Sequence, residues 1–183
     1  MMNHRLLTRL LQGLVVGLAA PTLAIGAISA NEYSAAKDRA AADYKTAKAR
    51  CDAMTGNPKD VCIAESKAAA KKAKAEAEAD YKNTDKARRD ARIEAAEADY
   101  DVAKARCDAR TGNDKDVCIK EAKAAETKAK ADAKATEKVA EARTDAMQTK
   151  EDADYKVALE KCDAYSGAAK DSCVNTAKMK YHK

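Results

Sequence analysis

The chain has no Trp and no Phe, only two Pro and six Gly among 183 residues, and seven Tyr as its sole aromatics. Without large apolar side chains it cannot build a thick mixed core. With so little Pro and Gly it has few enforced breaks, which favours long helices over strand-and-turn architecture. It has two His, and His182 is the only one beyond the N-terminal segment. No Ser/His/Asp set, phosphate-binding glycine loop or carboxylate pair in an apolar pocket is legible, so nothing points to a concave catalytic site. We expect no enzymatic activity and no cofactor.

What is present is alanine and charge. Hydrophobic types make up 46% of the chain, but most of these residues are Ala, the best helix former. Charged residues make up 36%. The first thirty residues differ from the rest. "MMNHRLLTRL" carries Arg5 and Arg9 and no acid, an apolar run follows, and the small-residue stretch "AIGAISA" closes it. This is the pattern of a secretory signal over residues 1–30, with the cut expected after Ala30 and an earlier alternative at Ala24–Ile25–Gly26. An uncleaved membrane anchor is the rival, and it is the only route by which we expect a membrane contact. Removing Arg5 and Arg9 takes the net charge from +5 to +3. The remainder is a near-balanced polyampholyte. Although "SKAAAKKAKA" (66–75) resembles a basic tail, acids follow at Glu76, Glu78 and Asp80, and no nucleic-acid partner is expected.

The rest of the chain is a repeat. "ADYKTAKARCDAMTGNPKDVC" (42–62) is copied as "ADYDVAKARCDARTGNDKDVC" (98–118) and, more loosely, as "ADYKVALEKCDAYSGAAKDSC" (153–173). The expected units are 31–84, 85–145 and a truncated 146–183. In the first arm, Tyr33, Ala36, Ala40, Tyr44, Ala47, Cys51 and Met54 are three or four residues apart, the spacing of a narrow helical seam. Ile93, Ala96, Tyr100, Ala103 and Cys107 repeat it, as do Tyr155, Ala158 and Cys162. The second arm steps through Cys118, Ala122, Ala125 and Ala129. Gly56, Gly112 and Gly167 suit the left-handed position that ends a helix. Asn57 and Asn113 are expected to cap the next helix, with Pro58 at its first position and Asp60 and Asp116 at its third. Alternatively Asp60, Asp116 or Asp171 is itself the cap. Ala168 stands where the third cap would be, so the third turn is expected to be weaker. The fold class is all-α: elongated tandem antiparallel hairpins, each turn closed by one disulfide. Whether 58–110 and 114–165 are continuous helices, or break near Asn83 and Thr144, stays open.

Folding each hairpin about its Gly–Asn turn brings Cys51 to Cys62, Cys107 to Cys118, and Cys162 to Cys173. Tyr44 then faces Ala69, and Tyr100 faces Ala125. A dozen-residue loop closed in this way contributes about 3 kcal/mol through the unfolded state. An even cysteine count in an exported chain favours this pairing. Metal ligation, a thiol redox pair and intermolecular disulfides are the alternatives. The first lacks local His ligands and the second the usual C-x-x-C.

The Ala/Lys/Glu/Asp helix, as in "AAAKKAKAEAEADYK" and "AAETKAKADAKATEKVAEAR", resembles the periplasmic helical domain of TolA. The repeated "CDA-x-TGN-x-KDVC" looks like small exported Gram-negative proteins labelled TolA-like. Cysteine-stapled hairpins are similar to mitochondrial coiled-coil-helix proteins, and Ala/Lys repeats to late-embryogenesis-abundant proteins. These resemblances imply a periplasmic spacer or envelope-associated scaffold with protein or envelope partners, self-association included. They imply, as the alternative, a stress-protective or chaperone-like polyampholyte. A thiol-based metal or redox buffer is the distant third.

Overall fold

The computed structural model describes residues 27–183. The signal segment and the membrane-anchor alternative lie almost wholly outside the described residues. The chain is all-α, with three disulfides linking its helices: α1 (Ala30–Cys51), α2 (Gly56–Lys82), α3 (Asp85–Cys107), α4 (Gly112–Cys162) and α5 (Gly167–Lys180). Among the described residues, α2 packs on α1 and α3, and α4 packs on α3 and α5. No helix among the described residues is long and apolar enough to cross a membrane.

α1 begins with a capping box that the sequence reading left inside the signal segment. The Ser29 hydroxyl accepts from the Glu32 N–H at 3.3 Å, and the Glu32 carboxylate accepts from the Ser29 N–H at 2.8 Å. The Ile28 N–H also donates to the Asp80 carbonyl of α2, at 3.3 Å. The Ser29 hydrogen bonds hold the Glu32 carboxyl below its usual range, the backbone N–H contributing most. A cut after Ala30 would remove this cap, whereas one after Gly26 would leave it.

The first-arm seam lies where the spacing puts it. Ala40, Cys51, Ala96, Cys107 and Cys162 are buried, and Tyr44, Tyr100 and Tyr155 half-buried. Met54 is the exception: it lies past the end of α1 and is 40% exposed. The second arm of unit two departs from expectation. Ala125 and Ala129 are exposed, while Glu126 and Ala133 are buried. Here the seam follows every fourth residue, Cys118, Ala122, Glu126 and Lys130, and takes in charged side chains that an apolar count ignores. Lys123 and Lys130 on the same helix neutralise Glu126, at 2.6 and 2.7 Å. Their hydrogen bonds, Lys123 first, hold its carboxyl below the usual range.

The two links between units differ. α2 ends at Asn83, which adopts the left-handed conformation at φ 46° and passes its N–H to the Ala79 carbonyl. Thr84 then caps α3, its hydroxyl accepting from the Ala87 N–H at 3.1 Å. α4 does not break: it runs 51 residues, about 75 Å at 1.5 Å per residue, through Thr144 and through the 145/146 boundary. Arg143 stands where an Asn would be needed. The Thr144 hydroxyl donates back to the Ala140 carbonyl at 3.1 Å instead of capping a new helix.

Candidate functional site: three clasped turns

The first-arm cysteines are the largest fully buried side chains described, with Cys51 and Cys162 at 0% exposure and Cys107 at 2%. Each pairs across its own turn: Cys51–Cys62, Cys107–Cys118 and Cys162–Cys173, with Cα atoms 5.5, 5.7 and 5.6 Å apart. These separations fit unforced disulfide geometry. No cysteine is left free. Among the described residues no cluster of three His, Cys, Asp or Glu is arranged to hold a metal ion.

Inside the clasp the chain makes the same turn three times. Gly56, Gly112 and Gly167 have φ of 63°, 55° and 55°, a conformation that costs glycine least. The glycine does not end the first arm, as its αL geometry suggested. α1 and α3 close at Cys51 and Cys107, and Met54 and Arg110 then donate back to the carbonyls of those cysteines, at 2.9 Å each. The glycine opens the second arm, after an extended Thr55, Thr111 or Ser166. Pro58 is therefore the third helical residue and not the first, still within the turn whose N–H groups lack helical partners. Asp60 and Asp116 fall at the fifth position, too far in for a capping box, and neither they nor Asp171 is the cap.

Asn57 is not the cap either. Its side-chain amide donates to the Ala105 carbonyl of α3, at 2.7 Å. That carbonyl is one of the last four of α3, which lack helical donors. Asn57 thus ties the first turn to the end of the next unit's first arm. Asn113 is exposed and makes no such bond among the described residues. Ala168 consequently costs the third turn no cap, and its backbone follows the other two.

One constellation escaped the sequence reading. The aspartate after each first cysteine meets a lysine of the second arm across the turn: Asp52–Lys59 at 3.5 Å, Asp108–Lys115 at 2.8 Å and Asp163–Lys170 at 2.8 Å. Each aspartate sits at a helix C-terminus, where the dipole disfavours it, and the lysine compensates. The hydrogen bond from Lys115 holds the Asp108 carboxyl below its usual range, and the one that Lys170 donates to Asp163 raises the Lys170 ammonium above its own. The signal was present, since "CD" and "KD" occur at the same places in all three copies.

Away from the turns, ion pairs and aromatic contacts accompany the alanine seams. Arg89 reaches both oxygens of Glu137, at 2.9 and 2.7 Å. Lys130 of α4 and Lys71 of α2 both bond Glu97 of α3, at 2.9 Å each, and hold its carboxyl low, Lys130 first. At the open end of the first hairpin, Tyr33 and Tyr81 stack with ring centroids 4.8 Å apart. Tyr155 and Tyr181 meet at 5.9 Å in the third. The grooves between helices mix Ala with charged side chains, as with Asp60, Lys67, Ala68 and Asp101 between α2 and α3.

No protein-family model, no curated protein and no solved structure matches the chain.

Proposed function

We propose that this is a non-enzymatic structural or interaction protein of the bacterial envelope, exported to the periplasm and acting there as a spacer or scaffold. The observation that carries the reading is the repeated clasp. Three disulfides close three turns of an alanine-rich chain, which calls for an oxidising compartment. The charged outer faces would meet protein or envelope partners. The clasps hold helices whose seams, built mostly of Ala, bury little surface.

The test is cell fractionation followed by mass analysis of the unreduced protein, with in-cell crosslinking to envelope proteins. The expected product is periplasmic, lacks the N-terminal segment, carries three intrachain disulfides and crosslinks to envelope components. Recovery from the cytoplasm with free thiols overturns the reading. Periplasmic protein that crosslinks broadly to unfolded clients instead would favour the protective polyampholyte.

A further inference from the structure

The contact between units one and two is made only once, yet the residues that make it occur again along α4. Ala64 and Ala68 of α2 pack against Ala98 and Val102 of α3. Towards the turn at Asn83 the contact continues through buried Ala75, Ala79 and Ala87 and half-buried Ala91. On each helix these positions are four, seven and four residues apart. The repeat carries the α3 set to Ala142, Ala146, Ala153 and Val157, in the C-terminal half of α4. It carries the α2 set to Ala124, Ala131 and Ala135 in the N-terminal half, with Lys120 in place of the first alanine. All of these are exposed, Val157 at 53%. The two halves of one interface thus lie end to end on a helix that cannot fold back on itself.

Both halves share one side of α4. Ala124, Ala135, Ala146 and Val157 are eleven residues apart. That repeat, 3.67 residues per turn, keeps a stripe on one face of a nearly straight helix for about 50 Å.

A stripe of alanines would not by itself name an occupant, but the polar frame of the α2/α3 contact does. That contact is flanked by the Lys72–Asp99 ion pair, by Arg106–Glu65 at 2.5 Å, and by the Asn57 amide on the Ala105 carbonyl. The repeat turns these pairs into Lys128 with Asp154, Lys161 with Glu121, and Asn113 with the Glu160 carbonyl. Every charge keeps its sign. None of these five side chains has a hydrogen-bond or ion-pair partner among the described residues, and all are exposed. The remaining pair, Lys71–Glu97, is not reproduced, since Thr127 replaces the lysine.

We propose that the free face of α4 binds a second copy of this chain, antiparallel, about a two-fold axis passing between Lys138 and Val139. The N-terminal half of one α4 then meets the C-terminal half of the other, and symmetry makes the contact twice. In each half, the partner's third hairpin takes the place beside α4 that α3 takes beside α2. This dimer does not depend on where the protein acts or on what else it binds.

The test is the molar mass of the oxidised chain by light scattering and sedimentation equilibrium, from micromolar to sub-millimolar concentration. The expected result is twice the chain mass, dissociating on dilution. A131E/A146E, at exposed helical sites, should give the single-chain mass with unchanged circular dichroism. K128E should weaken the dimer on the order of tenfold, because its pair occurs twice, and K128E/D154K should recover the loss. A single-chain mass throughout overturns the proposal, as does a larger oligomer or a dimer indifferent to A131E/A146E. A charge swap that leaves the dimer as weak as K128E alone overturns the antiparallel register.

Discussion

Between its first and second units the chain turns; between its second and third it runs straight. The turning link reads Asn83–Thr84–Asp85 and the straight one Arg143–Thr144–Asp145. Both carry a threonine followed by an aspartate, so that pair alone does not end a helix. The asparagine does. It tolerates the left-handed conformation that ends α2, and only then is the Ala87 N–H free for Thr84 to cap. After Arg143 the helical hydrogen bonds continue and the same threonine bonds backwards. The two links thus leave a layer in which α2 is held by α1 and α3 and a terminal hairpin in which, among the described residues, α5 touches only α4. From Glu141 to Glu151 every residue of α4 is exposed.

The largest expected effect probes that difference in support. C162A/C173A removes the staple from a 14-residue helix with one neighbour. An isolated helix of that length is marginal in water. Losing about 3 kcal/mol of loop closure should release α5, seen as near-complete loss of amide-exchange protection over 167–180. C51A/C62A removes a similar amount, but α2 keeps its contact with α3 and should retain its protection. Equal loss in both hairpins would show that α3 adds nothing to α2.

A smaller effect comes from exchanging the links. N83A/T84A removes a left-handed Asn and an N-cap, and should lower the stability of the layer by about 2 kcal/mol in urea unfolding. R143N, which restores Asn-Thr-Asp inside α4, should raise amide exchange around 141–148 and leave α1–α3 unchanged. If R143N changes nothing, the asparagine is not what decides.

The smallest effect is on pH dependence. Lysine hydrogen bonds hold Glu97 and Glu126 below the ordinary value of 4.5, Lys130 and Lys123 respectively contributing most. Their contribution is complete above that value and is lost as pH falls through the lower folded-state values. Exchange protection in α3 and the N-terminal half of α4 should therefore decline below about pH 4.5. In the third hairpin, Asp152 holds Lys183 above its ordinary 10.5, so that contribution is lost instead as pH rises past this value. Acid-induced loosening that began in α5 would contradict this division.

Much of the architecture was legible because it is local. The helical arms, the left-handed glycines and the cysteine pairing depend on spacings within a dozen residues, and repetition reinforced each. The cap assignments failed by two residues because the Gly could either close one helix or open the next. Only the backbone shows that it opens the second. Glu126 was missed because its burial depends on lysines and not on its own polarity. Asn57 was assigned to its own helix because its partner lies 48 residues away.

By itself, then, the sequence determined three clasped helical turns, because helix propensity, turn chemistry and loop closure act over short separations. It left open whether the chain breaks at Asn83 and at Thr144, since each site carried plausible cap residues. The tertiary structure decided that the first breaks and the second does not. At Asn83 an αL residue ends the ladder and α3 can pack back on α2, burying Ala68 and Ala98. At Arg143 no residue ends it, so the helix continues, and the matching alanines of α4 stay in water.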